Sequence, residues 1–464
     1  MKTEVQTNWS KRLIIFIISG VILLLPFIID APEGLSQIGF RSLAVFIVCI
    51  LWWVTNVIPL MITSLFAIVA FPLFNIADAH DVYPKFGNTA VFFLLGSFIL
   101  ASAFMRSGLS TRLSLVFIKA VGKSPLRMVI AFQLLATFLA FWTTGHTVVA
   151  MLIPILLELG NSLSEEENGA ELAKSLSLAV MWGAVIGSNA TFLGGARAPL
   201  AVAILSESTG KSITFSQWLI ATLPLVIVMT IIGTFLLLRI TPKKVDIKQS
   251  RTHLTKKVKN LGATSKREKL IAGIMLLTII AWFVFGNRAG LANIALIAVI
   301  TLFFLRLTSW KEVEEDVNWG IILMYGGAIA LGSTLSETGV SDWIMNMTGG
   351  LITSSVVFLI IIATLSIFFT ETMSNTAVVA FMMPMAIATA MALNTNPQIL
   401  TLTITIPSGF AFMLPMSTPA IAMTLSTGYV EMKDTIKSGI ILNITGLAIT
   451  LLAIIFYWPM IFGG

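Results

Sequence analysis

The sequence has very little of what soluble proteins place on their surfaces. Only 11% of its 464 residues are charged, while 57% are hydrophobic. Soluble domains carry about 25% charged residues, so water is not the main solvent of this protein. Apolar runs close to the ~20 residues that cross a bilayer recur along the whole chain. The composition predicts an all-α polytopic membrane protein, because helices satisfy their own backbone hydrogen bonds in lipid.

Cysteine and histidine are almost absent. The single cysteine, Cys49, lies inside an apolar run and excludes a disulfide framework. One cysteine and three histidines at no ligand-like spacing do not form a zinc site. Ser408 and His146 are the one thin candidate pair for an intramembrane serine protease, and nothing in the sequence positions them together. We therefore predict no cofactor, no metal ligands of this kind and no enzyme.

The basic residues are concentrated rather than spread. The formal net charge is +7, but ten of the 29 basic residues fall within residues 241–269, with two acidic ones. This clustering argues against a nucleic-acid partner and for a cytoplasmic segment, because Lys and Arg favour the cytoplasmic side of a membrane. We also expect this segment to contact anionic membrane lipids. No small-residue cleavage site follows the first apolar run, which we interpret as a retained helix.

Eleven crossings and two broken apolar stretches account for the hydrophobic residues. The crossings are predicted near 12–29, 40–56, 58–75, 88–106, 175–204, 216–240, 268–286, 290–306, 319–336, 398–426 and 435–461. The stretches at about 125–160 and 350–390 are too interrupted for simple spans. The basic residues just before the stretch at 125–160 are cytoplasmic only if that stretch enters and leaves the membrane on the same side, as a re-entrant hairpin does. The N-terminus is then cytoplasmic, and the C-terminus is extracellular in the cell membrane.

The chain repeats itself at an offset of 230 residues. "NTAVFFLLGSFILASAFMRSG" from Asn88 aligns with "NWGIILMYGGAIALGSTLSETG" from Asn318, and the same offset places Pro154 on Pro384. The predicted units are an N-terminal helix at 1–39, repeat 1 at 40–242, a basic cytoplasmic linker at 243–267 and repeat 2 at 268–464. Each repeat has five crossings and one hairpin. Because five is an odd number, the second repeat has the opposite orientation in the membrane. Inverted repeats with interrupted helices are typical of secondary transporters.

Each repeat has a polar cluster inside its broken stretch. Residues 368–384 read "FFTETMSNTAVVAFMMP", and residues 139–154 read "LAFWTTGHTVVAMLIP". A hairpin tip exposes the free N–H groups of a helix start, which favour an anion. Ser374, Asn375 and Thr376 add donors without fixed charge, which suits a carboxylate that must bind and leave. The alternative is that these residues only cap their helix.

A second break follows each cluster by about 45 residues. It reads "SNATFLGGARAPLA" at 188–201 and "FMLPMSTPAIA" at 412–422. Gly, Pro and small hydroxyl residues inside an apolar span unwind a helix and free its carbonyl groups. Two hairpin tips that face two unwound helices would enclose one site at the membrane midplane. The alternative is an ordinary proline kink.

These residues resemble those of the divalent anion/sodium symporters, the INDY-type dicarboxylate transporters. The resemblance covers nearly the whole chain. It is specific in the second half, where Ser374-Asn375-Thr376 and Thr418-Pro419 match the family's tip and break. It implies a homodimer, a scaffold with an elevator-type transport domain, and a dicarboxylate substrate. With the corresponding first-half positions, the predicted substrate-binding residues are Thr144, Gly145, His146, Gly195, Ala196, Arg197, Ser374, Asn375, Thr376, Thr418 and Pro419.

The first half departs from the family pattern. Ala140, Thr143 and Gly145 fall at the ligand positions of the family's first sodium site and leave few side-chain oxygens, while His146 and Arg197 add cations nearby. The hypothesis is that protein charge replaces the coupling sodium, because an empty carrier with a buried unpaired charge should cross the membrane poorly. A carrier that moves mainly when it is loaded is an exchanger. The chain therefore resembles the sodium-independent dicarboxylate antiporter branch of the family.

Several alternatives stay open at the sequence level. A sodium-coupled dicarboxylate symporter is the main one, since a second sodium site near Thr370, Asn375 and Ser417 would survive. Arg197 would pair with Glu371 or a lipid phosphate in a purely structural role, and His146 would be a neutral hydrogen-bonding group. Glu371 itself is interpreted as structural, because an acid would repel an anion. An anion channel and the substrates sulfate and phosphate also fit the donor chemistry.

Overall fold

The computed structural model describes residues 9–348 and 354–463, and within these ranges it contains helices and connecting segments but no strand. Residues 1–8 of the predicted N-terminal unit, residues 350–353 at the start of the predicted second hairpin and residue 464 lie outside the described residues. The predicted all-α polytopic membrane fold is confirmed. Its secondary structure follows from the composition, because long apolar runs form helices wherever water cannot bond the backbone.

The helices of the first half end before the basic segment. They are α1 Trp9–Ile28, α2 Gln37–Thr55, α3 Leu60–Leu73, α4 Ala79–Val82, α5 Thr89–Arg106, α6 Leu109–Val121, α7 Pro125–Leu139, α8 Gly145–Leu163, α9 Gly169–Gly187, α10 Arg197–Thr209 and α11 Phe215–Ile240. Short 3-10 turns occupy Tyr83–Gly87 and Phe192–Gly194.

The helices of the second half follow the same order after one additional helix, α12. They are α12 Lys248–Asn260, α13 Lys266–Ala289, α14 Leu291–Phe304, α15 Trp310–Asp316, α16 Trp319–Glu337, α17 Val340–Thr348, α18 Ser355–Thr372, α19 Asn375–Ala392, α20 Pro397–Ser408, α21 Pro419–Ser426, α22 Met432–Leu452 and α23 Trp458–Phe462. One turn of π-helix, Ala453–Tyr457, joins the last two.

The offset of the sequence repeat recurs in the helix starts. The pairs α5 and α16, α7 and α18, and α8 and α19 each begin 230 residues apart, as their bounds show. Both halves therefore carry a helical hairpin followed by a helix that is split in two. We call α7–α8 hairpin 1 and α18–α19 hairpin 2. The division into inverted repeats stays a prediction.

The number of long helices differs from the eleven predicted crossings. Ten helices among the described residues are long and apolar enough to cross a membrane. The predicted crossing at 398–426 is split into the short helices α20 and α21, and α3 and α14 have only 14 residues. The predicted crossing at 175–204 is also split, but its first part, α9, keeps spanning length. In exchange, the hairpin arms α8 and α18 reach spanning length. The difference arises because hydropathy alone does not separate a hairpin arm from a crossing.

Close helix packing brings each hairpin tip to a split helix. Helix α7 packs on α9, α8 packs on α9 and α21, and both arms of hairpin 2 pack on α20. Gly183 of α9 permits the first of these contacts, because a Cβ there would lie 2.9 Å from the Cβ of Ala136 and closer still to the carbonyl of Gln133. The tips thus meet the breaks in the interior of the protein.

The segment predicted as a basic linker, 243–267, is partly helical. It contains helix α12, which packs on α6 and α8 through its buried residues Ser250 and Leu254. The hydroxyls of Ser250 and Ser162 are 2.6 Å apart, and Lys257 pairs with Glu158 of hairpin 1. The sequence did not predict this helix, because its composition is polar and only a few of its side chains are buried.

Replacing Gly183 with Leu should lower the melting temperature of the purified protein. Overpacking a close helix contact costs roughly 1–3 kcal/mol, and here the backbone of α7 is the obstacle. Gly273→Leu is the matched control, because a Cβ at Gly273 of α13 would meet nothing within 4 Å. Fluorescence-monitored melting in detergent measures both. Equal melting temperatures for the two variants would contradict the packing of α7 on α9.

Candidate functional site

The two hairpin tips are short turns that start a helix. Hairpin 1 turns between Leu139 and Gly145, and hairpin 2 turns between Thr372 and Asn375. Thr144 and Ser374 occupy the N-cap positions, but neither side chain accepts a hydrogen bond from a backbone N–H of its own helix. Capping alone therefore does not explain these residues, because the hydroxyl groups are not used for it.

The two breaks are irregular segments of loop and turn rather than proline kinks. Helix α9 ends at Gly187 and α10 begins at Arg197, whereas α20 ends at Ser408 and α21 begins at Pro419. Thr418 does act as a helix cap, since its Oγ1 accepts a hydrogen bond from the backbone N–H of Ala420 at 3.4 Å. The kink alternative is wrong, because each break separates two helices by about ten residues.

The tips and breaks enclose one cavity of about 290 Å³. All eleven residues predicted from the sequence line it: Thr144, Gly145, His146, Gly195, Ala196, Arg197, Ser374, Asn375, Thr376, Thr418 and Pro419. Sequence reasoning did not place Asn318 and Ile321 of α16 at the site, although both line the cavity. The repeated Asn88/Asn318 position was the available signal. The structure thus brings the predicted residues together, and their role in binding stays a prediction.

The electrostatic character of the cavity favours an anion. Four helices, α8, α10, α19 and α21, begin at its wall. The first N–H groups of a helix lack intrahelical partners and carry partial positive charge. Arg197 adds a full charge, and no acidic side chain lines the cavity within the described part of the chain. His146 contributes its Nε2 3.1 Å from Thr144 Oγ1.

Arg197 is buried, and neutral oxygens hold it. Its Nη2 donates to Oδ1 of Asn189 at 2.8 Å and to both the carbonyl and the Oγ of Ser188 at 3.2 Å. None of the ion pairs in the described residues involves Arg197. The alternative in which Arg197 pairs with Glu371 is therefore wrong, and the guanidinium charge remains uncompensated by a carboxylate.

Glu371 has a structural role at the second break. Its buried carboxylate accepts hydrogen bonds from the backbone N–H groups of Phe412, Met413 and Leu414, at distances from 2.9 to 3.3 Å. The side-chain amide of Asn443 donates to it at 2.6 Å. The carboxylate thus satisfies the backbone that the unwound helix leaves free. Its oxygens bind the break and do not line the cavity.

The second half keeps the side-chain oxygens of the predicted second sodium site. Thr370 Oγ1 lies 2.7 Å from both Oδ1 of Asn375 and the carbonyl of Ser408. The Oγ of Ser417 lies 2.6 Å from the carbonyl of Leu414. Neutral hydroxyl, amide and carbonyl oxygens are ligands that suit hard cations. These residues would hold a sodium ion, although no group of three or more His, Cys, Asp or Glu with metal-binding geometry occurs among the residues described.

The first half does not repeat this oxygen set. Ala140 and Gly145, 230 residues before Thr370 and Asn375, have no side-chain oxygen. The hydroxyl of Thr143 is buried without a hydrogen-bond partner. The oxygens of Ser188 and Asn189 at the first break accept from Arg197 instead. The guanidinium therefore occupies the environment in which a cation would find its ligands.

The face next to hairpin 1 also carries an ion-pair network between the two halves. Arg106 Nε donates to Asp316 Oδ2 at 2.6 Å, and Ser102 Oγ donates to the same oxygen at 2.5 Å. The hydrogen bond from Arg106 holds the pKa of Asp316 below its usual value. A cavity of about 40 Å³ between Asp316 and His146 borders this network.

Replacing Glu371 with Gln should strongly lower the melting temperature. The amide keeps the volume but faces backbone N–H groups with its own donor, and hydrogen bonds to charged groups contribute roughly 1.5–3 kcal/mol each. Thr372→Val is the matched control at the same tip, because Thr372 is exposed and bonds only the carbonyl of Phe369. An E371Q protein that melts like T372V would exclude the structural role.

Comparison with known proteins gives a consistent match along the chain. The family profile described as "Sodium:sulfate symporter transmembrane region" matches residues 6–463. The sodium-dependent dicarboxylate transporter SdcS of Staphylococcus saprophyticus is 27% identical, over 100% of this chain and 94% of that protein. SdcS of Staphylococcus aureus strain NCTC 8325 is 28% identical, over 98% of this chain and 92% of its own length.

A solved structure has a similar fold. The crystal structure of the YdaH transporter of Alcanivorax borkumensis matches with a TM-score of 0.53 at 15% identity, over 82% of this chain and 88% of that one. At this identity the likeness concerns the fold alone.

Proposed function

The chain belongs to the sodium:sulfate symporter family, and we propose that it is a secondary transporter of small dicarboxylates. The cavity carries the proposal, because four helix N-termini and Arg197 converge on it and no carboxylate of the described residues lines it. The names of the SdcS relatives support a dicarboxylate as substrate. The predicted divalent anion/sodium symporter resemblance is confirmed at the level of the family.

The two halves of the cavity would each bind one end of the substrate. Ser374, Asn375 and Thr376 would supply donors at the start of α19 to one carboxylate, while Thr144, His146 and Arg197, which line the same cavity, would bind the other. A dianion with two separated carboxylates uses both sets at once. This arrangement favours a four- or five-carbon dicarboxylate over sulfate or phosphate, whose charge is confined to one centre.

Coupling to sodium is the first candidate mechanism. Both relatives compared above are named sodium-dependent, and the oxygens of Thr370, Asn375 and Ser408 fit a cation beside the second tip. A sodium ion there would supply positive charge next to the substrate. It would also couple tip closure to binding, because Asn375 begins α19.

Sodium-independent exchange is the second candidate, and the contacts of Arg197 favour it. The guanidinium uses the oxygens of the first break and brings a charge that cannot leave with the substrate. An empty carrier must then move a buried unpaired cation, which is costly, whereas a loaded carrier moves a neutralised one. Exchange of one dicarboxylate for another avoids the costly step.

Movement of the site is proposed to follow an elevator mechanism. The hairpins and split helices form one group around the cavity, and α5 and α16 pack on its helix α10. We propose that this group moves as a unit against α5 and α16 and carries the substrate. The homodimer, the lipid contacts and the orientation of the termini stay predictions.

Purified protein in liposomes tests the proposed function and its coupling. We expect saturable uptake of radiolabelled succinate or 2-oxoglutarate. An inward sodium gradient that drives uptake into empty liposomes supports symport. Uptake that requires internal dicarboxylate and proceeds without sodium supports exchange. Protein-free liposomes control for leak, and the absence of saturable transport of any dicarboxylate under both conditions would overturn the proposal.

Replacing Arg197 with Ser should weaken dicarboxylate binding roughly ten- to hundredfold. Charge-assisted hydrogen bonds contribute about 1.5–3 kcal/mol, and each 1.4 kcal/mol is about tenfold in affinity. Arg239→Ser is the control, because Arg239 lies at the far end of α11 over the ring of Phe235. Calorimetric titration of both variants with succinate measures the effect. Wild-type affinity in R197S would remove Arg197 from the binding site.

A further inference from the structure

We propose that Asn189 is the positioning residue for Arg197 and keeps its charge available for a substrate carboxylate. The inference rests on the proposed function, since it concerns the same cavity. Asn189 does not line the cavity, and its side chain is only 1% exposed. It acts on the substrate through Arg197 alone.

The amide of Asn189 is fixed on both sides. Its Nδ2 donates to the carbonyls of Val185 at 3.2 Å, Ile186 at 3.4 Å and Gly409 at 3.3 Å. These acceptors leave Oδ1 as the atom that faces Arg197, 2.8 Å from Nη2. An amide suits the position because one end must donate and the other must accept. The side chain thereby connects the end of α9, the end of α20 and the guanidinium.

Gly409 leaves the space that this arrangement needs. A Cβ at Gly409 would collide with Oδ1 of Asn189 and with Nη2 of Arg197. The glycine therefore lets the amide and the guanidinium lie directly against the backbone at the end of α20. Asn189 and Arg197 of the first-half break therefore contact the backbone of the second-half break at Gly409.

The hydrogen bonds to neutral acceptors involve only one end of the Arg197 guanidinium. Nη2 is bonded to Asn189 and Ser188. Nη1 lies beside the bare α-carbon of Gly195, where a Cβ would be 2.8 Å away, and Gly195 lines the cavity. Nη1 has no acceptor among the described contacts and faces a wall where a carboxylate would bind. Because every acceptor is uncharged, the full positive charge remains for that carboxylate.

The substitution Asn189→Asp separates positioning from charge. The introduced carboxylate would still accept from Arg197, but it would neutralise the guanidinium and lose the donor to Gly409. We expect at least tenfold weaker binding of succinate to N189D, measured by calorimetric titration, while monomethyl succinate loses much less affinity. Asn396→Asp is the matched control, since Asn396 caps the far end of α20, where an aspartate caps equally well, and does not contact Arg197.

A second readout shows whether Asn189 acts through Arg197. With Arg197 present, the carboxylate introduced by N189D has a cationic partner, so the melting temperature should change little. In the Arg197→Ser background the same carboxylate is a buried unpaired charge and should lower the melting temperature clearly. Equal shifts in both backgrounds, or wild-type succinate affinity in N189D, would overturn the inference. If the wild-type protein itself binds no dicarboxylate, the proposed function fails instead.

Discussion

The structure depends on one constraint: backbone that leaves the helix inside a membrane must find its hydrogen bonds within the protein. Both breaks and both tips are such segments, and each is supported by particular side chains. Glu371 binds three consecutive N–H groups of the second break. At the first break, Thr191 Oγ1 donates to the carbonyl of Phe141, and Asn189 donates to Gly409. The cavity exists because these side chains, rather than helix geometry, hold its walls.

The same constraint places two opposite charges near one cavity without joining them. Glu371 uses its oxygens on backbone donors, and Arg197 is held by the neutral oxygens of Ser188 and Asn189. A direct salt bridge would satisfy both charges and leave no net attraction for a dianion. The separate arrangement costs stability, because a buried uncompensated cation is unfavourable. In return the cavity keeps a positive centre that a substrate carboxylate can complete, which is the property a transporter of anions needs.

Much of the site could be predicted from the sequence, and the reasons are local. The polar clusters around Thr144 and Ser374 stand out because they interrupt long apolar runs, and the offset of 230 relates them. The cavity residues contributed by other elements were not predictable. Gly409 and Asn318 reach the cavity, and Asn189 reaches Arg197, only through tertiary packing, which a single sequence does not specify. Helix α12 was missed for a related reason, since two buried side chains hold an otherwise polar segment.

The asymmetry between the halves bears directly on coupling. At the second tip, Thr370, Asn375 and Ser408 bring together neutral oxygens of the kind that suits a cation. At the first tip, Ala140 and Gly145 offer no such oxygens, and a tethered cation occupies the neighbouring break. A carrier that binds one coupling ion and has one fixed charge moves fewer ions per transport cycle than a carrier that binds two coupling ions. Under the proposed mechanism, the fixed charge would make the empty state the costly one to move, so the extent to which Arg197 is neutralised would decide how strictly movement requires a bound substrate.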